Sequence, residues 1–412
     1  MTGLVIAIFA LTYVLIAVQR LRVLPIGRPA GALLGATLMV TVGALTPEEA
    51  YEAVDHDTIA LLFGMMVIIA SLAATGFFEA ASDAVLRAAR TPVRLLVSVS
   101  LLAGVLSAFM VNDTVCLFMT PVVVAACRRA SLPMGPYLIA LATSANIGSA
   151  ATLVGNPQNM LVGSMSGISF STFLAWAGPA AAVALLVNAG LLVLAYRRRV
   201  GAAFGADADD HRPPLTTCDR RRMTLVLVVV AAVIIAFFAG AHLGTATLAG
   251  AAFLVVARRR DGSETFARVD WSLLVFFVGL FIVVAALRQT GLVDDAWQAA
   301  APALGYDTTP GLAGFVGFAT VGSNVVSNVP MVLLTGPYLP LLGEPDLGWV
   351  LLAYVTTVAG NLTLVGSVAN IIVAEGAGPH YELGFFEFLR FGLVSTLITL
   401  AVGVPIILAT VG

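Results

Sequence analysis

An all-α polytopic membrane protein, built from two inverted repeats of five transmembrane spans, is the fold class this sequence predicts. Three observations lead there. Apolar residues fill 59% of the 412 positions and charged ones only 11%, with a mean hydropathy of +0.99; a soluble domain carries roughly 25% charge. The apolar residues come in runs near the length that crosses a bilayer. Within two of those runs the same polar, helix-breaking segment recurs: Thr152-Leu153-Val154-Gly155 followed by Asn159, and Thr363-Leu364-Val365-Gly366 followed by Asn370.

The runs form two matching series. The first falls at 2–19, 29–45, 58–75, 134–163 and 170–196, the second at 223–240, 242–257, 271–288, 347–374 and 384–410. Between the third and fourth member of each series lies one more apolar block, 92–127 and 308–340, interrupted by a polar tip (Asn112-Asp113-Thr114 and Ser327-Asn328-Val329). Such a block reads as a re-entrant hairpin, because non-helical backbone at membrane depth survives only against protein or water. The domain plan is a first repeat at 1–196, a linker at 197–222 and a second repeat at 223–412, with broken helices at 134–163 and 347–374. An offset of 215 relates Asp55 to Asp270, Gly64 to Gly279, Thr75-Gly76 to Thr290-Gly291, Asn112 to Ser327 and Thr120 to Thr335; it slips to 211 at Gly155 and Gly366. Five spans per half make the second repeat inverted relative to the first. The stretch 77–91 reads as an amphipathic surface helix, and 292–304 as its weaker counterpart.

Arginine fixes the orientation. All 21 basic residues are Arg, and in this span model 20 fall on one side and only Arg288 on the other. The positive-inside rule then puts the 197–222 loop in the cytoplasm and both termini outside, in a plasma (inner) membrane. The first apolar run has no cationic leader segment and reads as a retained span.

Chemistry concentrates at the tips and breaks. Asp113 is the one acid placed at membrane depth, where a buried charge is costly and therefore functional by default. That makes it the candidate proton carrier; the bland reading is a helix cap. Asn146, Ser149, Thr152, Asn156 and Asn159, with Asn361, Thr363, Ser367 and Asn370, supply neutral donors and acceptors. Gly155 and Gly366 free backbone groups, so opposed helix ends face a midplane solute. Interhelical hydrogen bonding is the competing role, and the duplication favours the site. Cys116, Cys127 and Cys218 show no metal spacing, and His56, His211, His242 and His380 are scattered, so neither a metal nor any other cofactor is expected. A single membrane acid argues against an aspartyl protease, and convergence on one point argues against a continuous pore. The partners expected are a small inorganic solute and the lipid bilayer, with no nucleic acid.

The combined pattern resembles the arsenite-permease branch of the ion transporter superfamily, and within it the plant silicon-efflux transporters and their bacterial relatives. The resemblance rests on Leu24-Pro25-Ile26-Gly27-Arg28 with Gly31 and Gly35, and on Asn112-Asp113-Thr114. It continues through Ala140 to Ser149 (ALATSANIGS) and Gly155-Asn156-Pro157-Gln158-Asn159. It implies two inverted repeats with re-entrant hairpins, usually a homodimer, with a transport domain that moves elevator-fashion against a scaffold. Sodium-coupled dicarboxylate members of the superfamily place Ser-Asn-Thr at both tips. Here the first tip carries a carboxylate and the second ends in Val329. A carboxylate supplies a protonatable group and repels dianions. The expectation is a proton-coupled antiporter exporting a neutral oxyacid of silicon, arsenic or antimony. A sodium/proton antiporter, or a sodium-coupled importer of dicarboxylate or sulfate, are the alternatives, since a carboxylate also suits sodium.

Overall fold

The computed structural model describes residues 1–17, 27–89, 91–201, 219–257 and 263–412. Most of the expected linker, the Leu24-Pro25-Ile26 stretch, Cys218, His211, and Arg20, Arg22, Arg90, Arg212 and Arg258 to Arg260 lie outside the described residues. Among the described residues there are twenty α-helices and no strand. They fall into two series of ten in the same order. The first is α1 (Thr2–Ala17), α2 (Arg28–Thr41), α3 (Pro47–Glu52), α4 (His56–Ala73), α5 (Phe77–Ala88), α6 (Pro92–Phe109), α7 (Asn112–Arg129), α8 (Met134–Ser149), α9 (Pro157–Ser166) and α10 (Phe170–Gly201). The second is α11 (Arg220–Phe238), α12 (Leu243–Ala257), α13 (Ser263–Phe266), α14 (Trp271–Arg288), α15 (Leu292–Ala300), α16 (Thr309–Val326), α17 (Asn328–Thr335), α18 (Pro345–Ala359), α19 (Val368–Ala377) and α20 (Phe385–Val411). The expected spans match these helices to within a few residues. Helix α10 carries Arg197 to Arg199, and α11 contains Arg220 to Arg222.

Local sequence explains where the helices start and stop. Asp55 and Asp270 occupy the same place in the two series and do the same work. Each accepts from the backbone N–H three residues on, Thr58 at 2.6 Å and Leu273 at 3.1 Å, and so caps α4 or α14. The other ends match too. Thr75 and Thr290 each donate to the carbonyl three residues back at 2.6 Å, and Gly76 (φ 79°) and Gly291 (φ 75°) turn the chain in the left-handed region. Thr91 with Pro92, and Thr308 with Pro310, open α6 and α16.

Packing crosses the two series. α4 packs on α12 and, reciprocally, α14 packs on α2. Glycine at matched positions permits both approaches: a Cβ at Gly64 would stand 2.7 Å from the Thr247 backbone, and one at Gly279 would stand 2.7 Å from that of Ala32. In a bilayer no hydrophobic force drives helices together, so close backbone approach through small residues carries much of the association. A second group is built from α6 packed along α8, α7 against α19, and α10 against both α8 and α20. Among the described residues, six helices (α4, α6, α10, α11, α14 and α20) are long and apolar enough to cross a membrane. Large apolar side chains face outward while several amides lie inside. Leu194 and Ile235 are each 67% exposed, whereas Asn146, Asn156, Asn159, Asn188, Asn361 and Asn370 are buried. Apolar side chains outside and amides inside are what a lipid surround demands.

Candidate functional site

The helix breaks are built by one device used twice. α8 stops at Ser149 and α18 at Ala359, leaving terminal carbonyls without intrahelical partners. At a depth where water is scarce those carbonyls need donors. Asn159, from the first turn of α9, donates its side-chain amide back to the carbonyls of Ser149 (3.2 Å) and Thr152 (2.9 Å). Asn370, from the first turn of α19, does the same to Gly360 (2.8 Å) and Thr363 (3.0 Å). The duplicated Thr-Leu-Val-Gly-x-x-x-Asn segment is therefore a loop staple. The glycines complete it: a Cβ at Gly155 would overlap the Ser149 carbonyl, and one at Gly366 would press on the Gly360 carbonyl and the Asn324 side chain.

Each hairpin tip is clamped to the nearby break. The Asn112 N–H donates to the Gly155 carbonyl (2.9 Å), and the Thr152 hydroxyl donates to the Ala108 carbonyl. At the second tip Asn324 makes the clamp, donating to the Ala359 carbonyl (2.9 Å) and accepting from the Thr363 hydroxyl (3.1 Å). Between the breaks lies an amide hub. Asn146 Oδ1 accepts from Asn112 Nδ2 and Ser367 Oγ, both at 3.0 Å, while its Nδ2 donates to Asn361 Oδ1 (2.8 Å) and Asn370 Oδ1 (2.9 Å). Asn361 passes its own amide on to the Thr143 carbonyl (3.1 Å). Asn156 caps α9 by accepting from the Asn159 N–H (2.8 Å) and donates to Ser149 Oγ (2.9 Å) and Thr357 Oγ1 (3.2 Å).

This framework aims four helix N-termini at one small space. The first residues of α7 (Asn112, Asp113), α9 (Pro157, Gln158) and α17 (Asn328, Val329), together with Ser367 and Val368 at the start of α19, line a cavity of about 20 Å³, with Phe276 and Phe277 of α14 as an apolar wall. That volume holds about one water molecule. Each helix start contributes partial positive charge. Against them stand the Asp113 carboxyl and two buried amide oxygens, Asn112 Oδ1 and Asn328 Oδ1, which accept no hydrogen bond from the described residues. Asp113 is only 4% exposed. It also lines a second cavity of about 20 Å³ on its other side, together with Thr114, Arg268 and Asp270.

The residues singled out from sequence thus separate. Asn112, Asp113, Ser327 and Asn328 line the central cavity, and Thr114 lines only the second one. Asn146, Ser149, Thr152, Gly155, Asn156, Asn159, Asn361, Thr363, Gly366 and Asn370 form the hydrogen-bonded frame behind it. The Asn159 and Asn370 amides are engaged with backbone carbonyls rather than turned to the cavity. Sequence reasoning missed Gln158, Phe276 and Phe277 as lining and Asn324 and Thr357 as frame. Asn324 carried a signal, an amide one helical turn before Asn328 in an apolar block. No group of three or more His, Cys, Asp or Glu suited to a metal occurs among the described residues.

Comparison with known proteins agrees with this architecture. Residues 13–359 match the family model CitMHS, described as citrate transporter. A putative transporter arsB of Dictyostelium discoideum is 32% identical, over 93% of this chain and 88% of that protein. The silicon efflux transporter LSI3 of Oryza sativa subsp. japonica is also 32% identical, over 97% of this chain and 96% of its own length. Among solved structures, the YdaH transporter of Alcanivorax borkumensis, described as having an unusual topology, shares the fold at a TM-score of 0.57. It has 16% identity and covers 92% of this chain and 89% of its own. A membrane-type helical fold, four helix starts around one small cavity and a family match over most of the chain lead to one conclusion: the chain belongs to the CitMHS family of the ion transporter superfamily, and it is a multi-pass secondary transporter of small solutes, not an enzyme.

Proposed function

We propose that the protein is a proton-coupled antiporter that exports a small neutral metalloid oxyacid such as silicic, arsenous or antimonous acid. The observation that carries this reading is the composition of the central cavity: the starts of four helices, with the Asp113 carboxyl and two unpartnered amide oxygens among them. A hydroxide of silicon or arsenic is both donor and acceptor through every oxygen. Its O–H groups suit Asn112 Oδ1, Asn328 Oδ1 and Asp113, and its oxygens suit the helix starts. Such a solute leaves no charge to neutralise, and Asp113 is then free to carry the proton. The cavity is water-sized, so the solute enters as the tips of α7 and α17 part. The relatives named for arsB and for silicon efflux support the same choice.

A second reading has its own support. Four convergent helix starts also favour an anion, and the matching family model is described as a citrate transporter. An ionised Asp113 in the same cavity opposes a di- or tricarboxylate by like charge, which is why the neutral solute is preferred. Sodium/proton exchange through Asp113 is a separate alternative, since a carboxylate also suits sodium. One proteoliposome preparation decides among them. Flux of arsenite, silicic acid, citrate, succinate and sodium is measured under imposed proton and sodium gradients. Metalloid flux driven by the proton gradient is expected. Citrate or succinate flux driven by sodium, with none of the metalloids moving, overturns the proposal.

The two series of ten helices form inverted repeats, α6–α10 and α16–α20 move as a transport body against α1–α4 and α11–α14, and two copies pair as a homodimer. The reciprocal α4–α12 and α14–α2 crossings, held by Gly64 and Gly279, support a rigid scaffold. Both termini lie outside the plasma membrane and the connection between α10 and α11 lies in the cytoplasm, following the arginine bias.

A further inference from the structure

A groove of about 830 Å³ lies between the last turns of α10 and the first turns of α20, away from the central cavity. Its polar end holds Arg199, Glu387, Tyr381 and Arg390. Arg199 donates to Glu387 Oε1 at 3.0 Å, and the Tyr381 hydroxyl donates to Glu387 Oε2 at 2.7 Å. Glu387 is thereby satisfied twice, while Arg390, one turn further along α20, forms no hydrogen bond or ion pair with the described residues. The groove lining therefore carries one net positive charge. Arg197 and Arg198 on the same turn of α10 add to it, and Glu382 in the loop before α20 offsets one of them. Tyr196 and Phe391, with ring centroids 5.7 Å apart, form one wall. The other end is apolar and open: Leu194 is 67% exposed and Val394 45%. Arg390, Val394 and Leu397 follow one another at i, i+4 and i+7 on a single face of α20, and Leu397 is 58% exposed.

We propose that this groove binds an anionic diacyl phospholipid, its phosphate held by Arg390 and the free edge of Arg199 and its acyl chain laid along Leu194, Val394 and Leu397. The arrangement matches an amphiphile in order: a basic head site, an aromatic collar at the level where Tyr and Trp gather in membranes, and an apolar track leading into the bilayer. Basic pockets between transmembrane helices recognise acidic headgroups in this way. A second copy of the chain fits less well. A two-fold pairing places the same patch on both sides and sets arginine clusters against each other or against the apolar track.

The test uses the full chain in vesicles of mixed phosphatidylcholine and phosphatidylglycerol. After gentle extraction, the lipid retained is identified by native mass spectrometry. Wild-type protein is expected to retain phosphatidylglycerol in preference to phosphatidylcholine. Arg390→Gln is expected to lower that preference about fivefold, the factor corresponding to about 1 kcal/mol per basic side chain at a membrane surface. Glu387→Gln, which releases Arg199, is expected to raise it. Arg94→Gln, at the start of α6, leaves it unchanged. Should Arg390→Gln fail to fold, Leu194→Trp fills the groove from an exposed position and is expected to expel the lipid. Equal retention in wild type, Arg390→Gln and Glu387→Gln overturns the proposal. So does efficient cross-linking of Leu194→Cys to a second copy in the membrane, which makes the groove a protein interface.

Discussion

Asp113 and Asn146 divide the labour of the site between one chargeable group and one amide that holds its surroundings. Asp113 is buried and touches two water-sized cavities. Asp113→Asn keeps the shape and removes the carboxyl proposed to carry the proton. It is expected to abolish substrate-dependent proton flux in proteoliposomes while the protein still purifies as a folded species; flux at the wild-type rate would sink the proton-carrier role. Asn146 satisfies four side chains at once. Asn146→Ala leaves those partners buried and unpaired at about 1–3 kcal/mol each, so a loss of about 3 kcal/mol or more is expected in denaturant unfolding. A loss no larger than that of an exposed Asn would show that the hub relaxes around the gap. The depth of Asp113 was legible as an acid within an apolar block. The hub was not, because its bonds join residues 34 to 224 positions apart, and no local pattern states which amide meets which.

At the level of elements, the sequence specifies starts and stops better than partners. The matched caps Asp55 and Asp270 and the matched turns Thr75-Gly76 and Thr290-Gly291 were visible as a constant offset, and the structure gives each pair one geometry. The staple role of Asn159 and Asn370 was hidden, because an amide that caps a carbonyl and an amide that meets a solute look the same in sequence. Asn159→Ala and Asn370→Ala each strip two carbonyls of their donor. Both are expected to lower stability by about 1–3 kcal/mol, read as thermal unfolding in detergent, before any effect on solute affinity is counted. A variant that loses solute binding with unchanged stability would return these residues to direct contact. Gly64→Ala puts a methyl against the backbone and side chain of Thr247, and Gly279→Ala puts one against the backbone of Ala32. Each is expected to destabilise by about 1–3 kcal/mol through overpacking, in the same unfolding assay. An unchanged midpoint in either would mean that the crossing is looser than the backbone distances show.

At the scale of the whole molecule, the two series are interdependent rather than side by side. The arginine bias makes the topology testable. In a Cys-free background, a cysteine between Gly201 and Asp219 is expected to resist impermeant thiol reagents in intact cells, while one replacing Glu344 labels readily. The reverse pattern overturns the orientation. Fold class and element order were legible because bilayer length and hydropathy are local quantities. The reciprocal crossing of α2 with α14 and α4 with α12 was not, since it depends on how two lengths of chain meet in space.

That crossing bears on how the protein is made. α2 and α4 enter the membrane long before their partners exist, since the last residue of α14 is Arg288 and that of α2 is Thr41. At about 5–20 residues per second, the ribosome delivers the missing helices roughly 10–50 s later. During that interval Ala32 and Gly64 present bare backbone-accessible grooves to lipid and to any other nascent chain. The first half is therefore an assembly intermediate by construction and not a folded unit awaiting a companion. Two genes split between Gly201 and Asp219 should accordingly yield transporter only when expressed together, each fragment alone being cleared from the membrane.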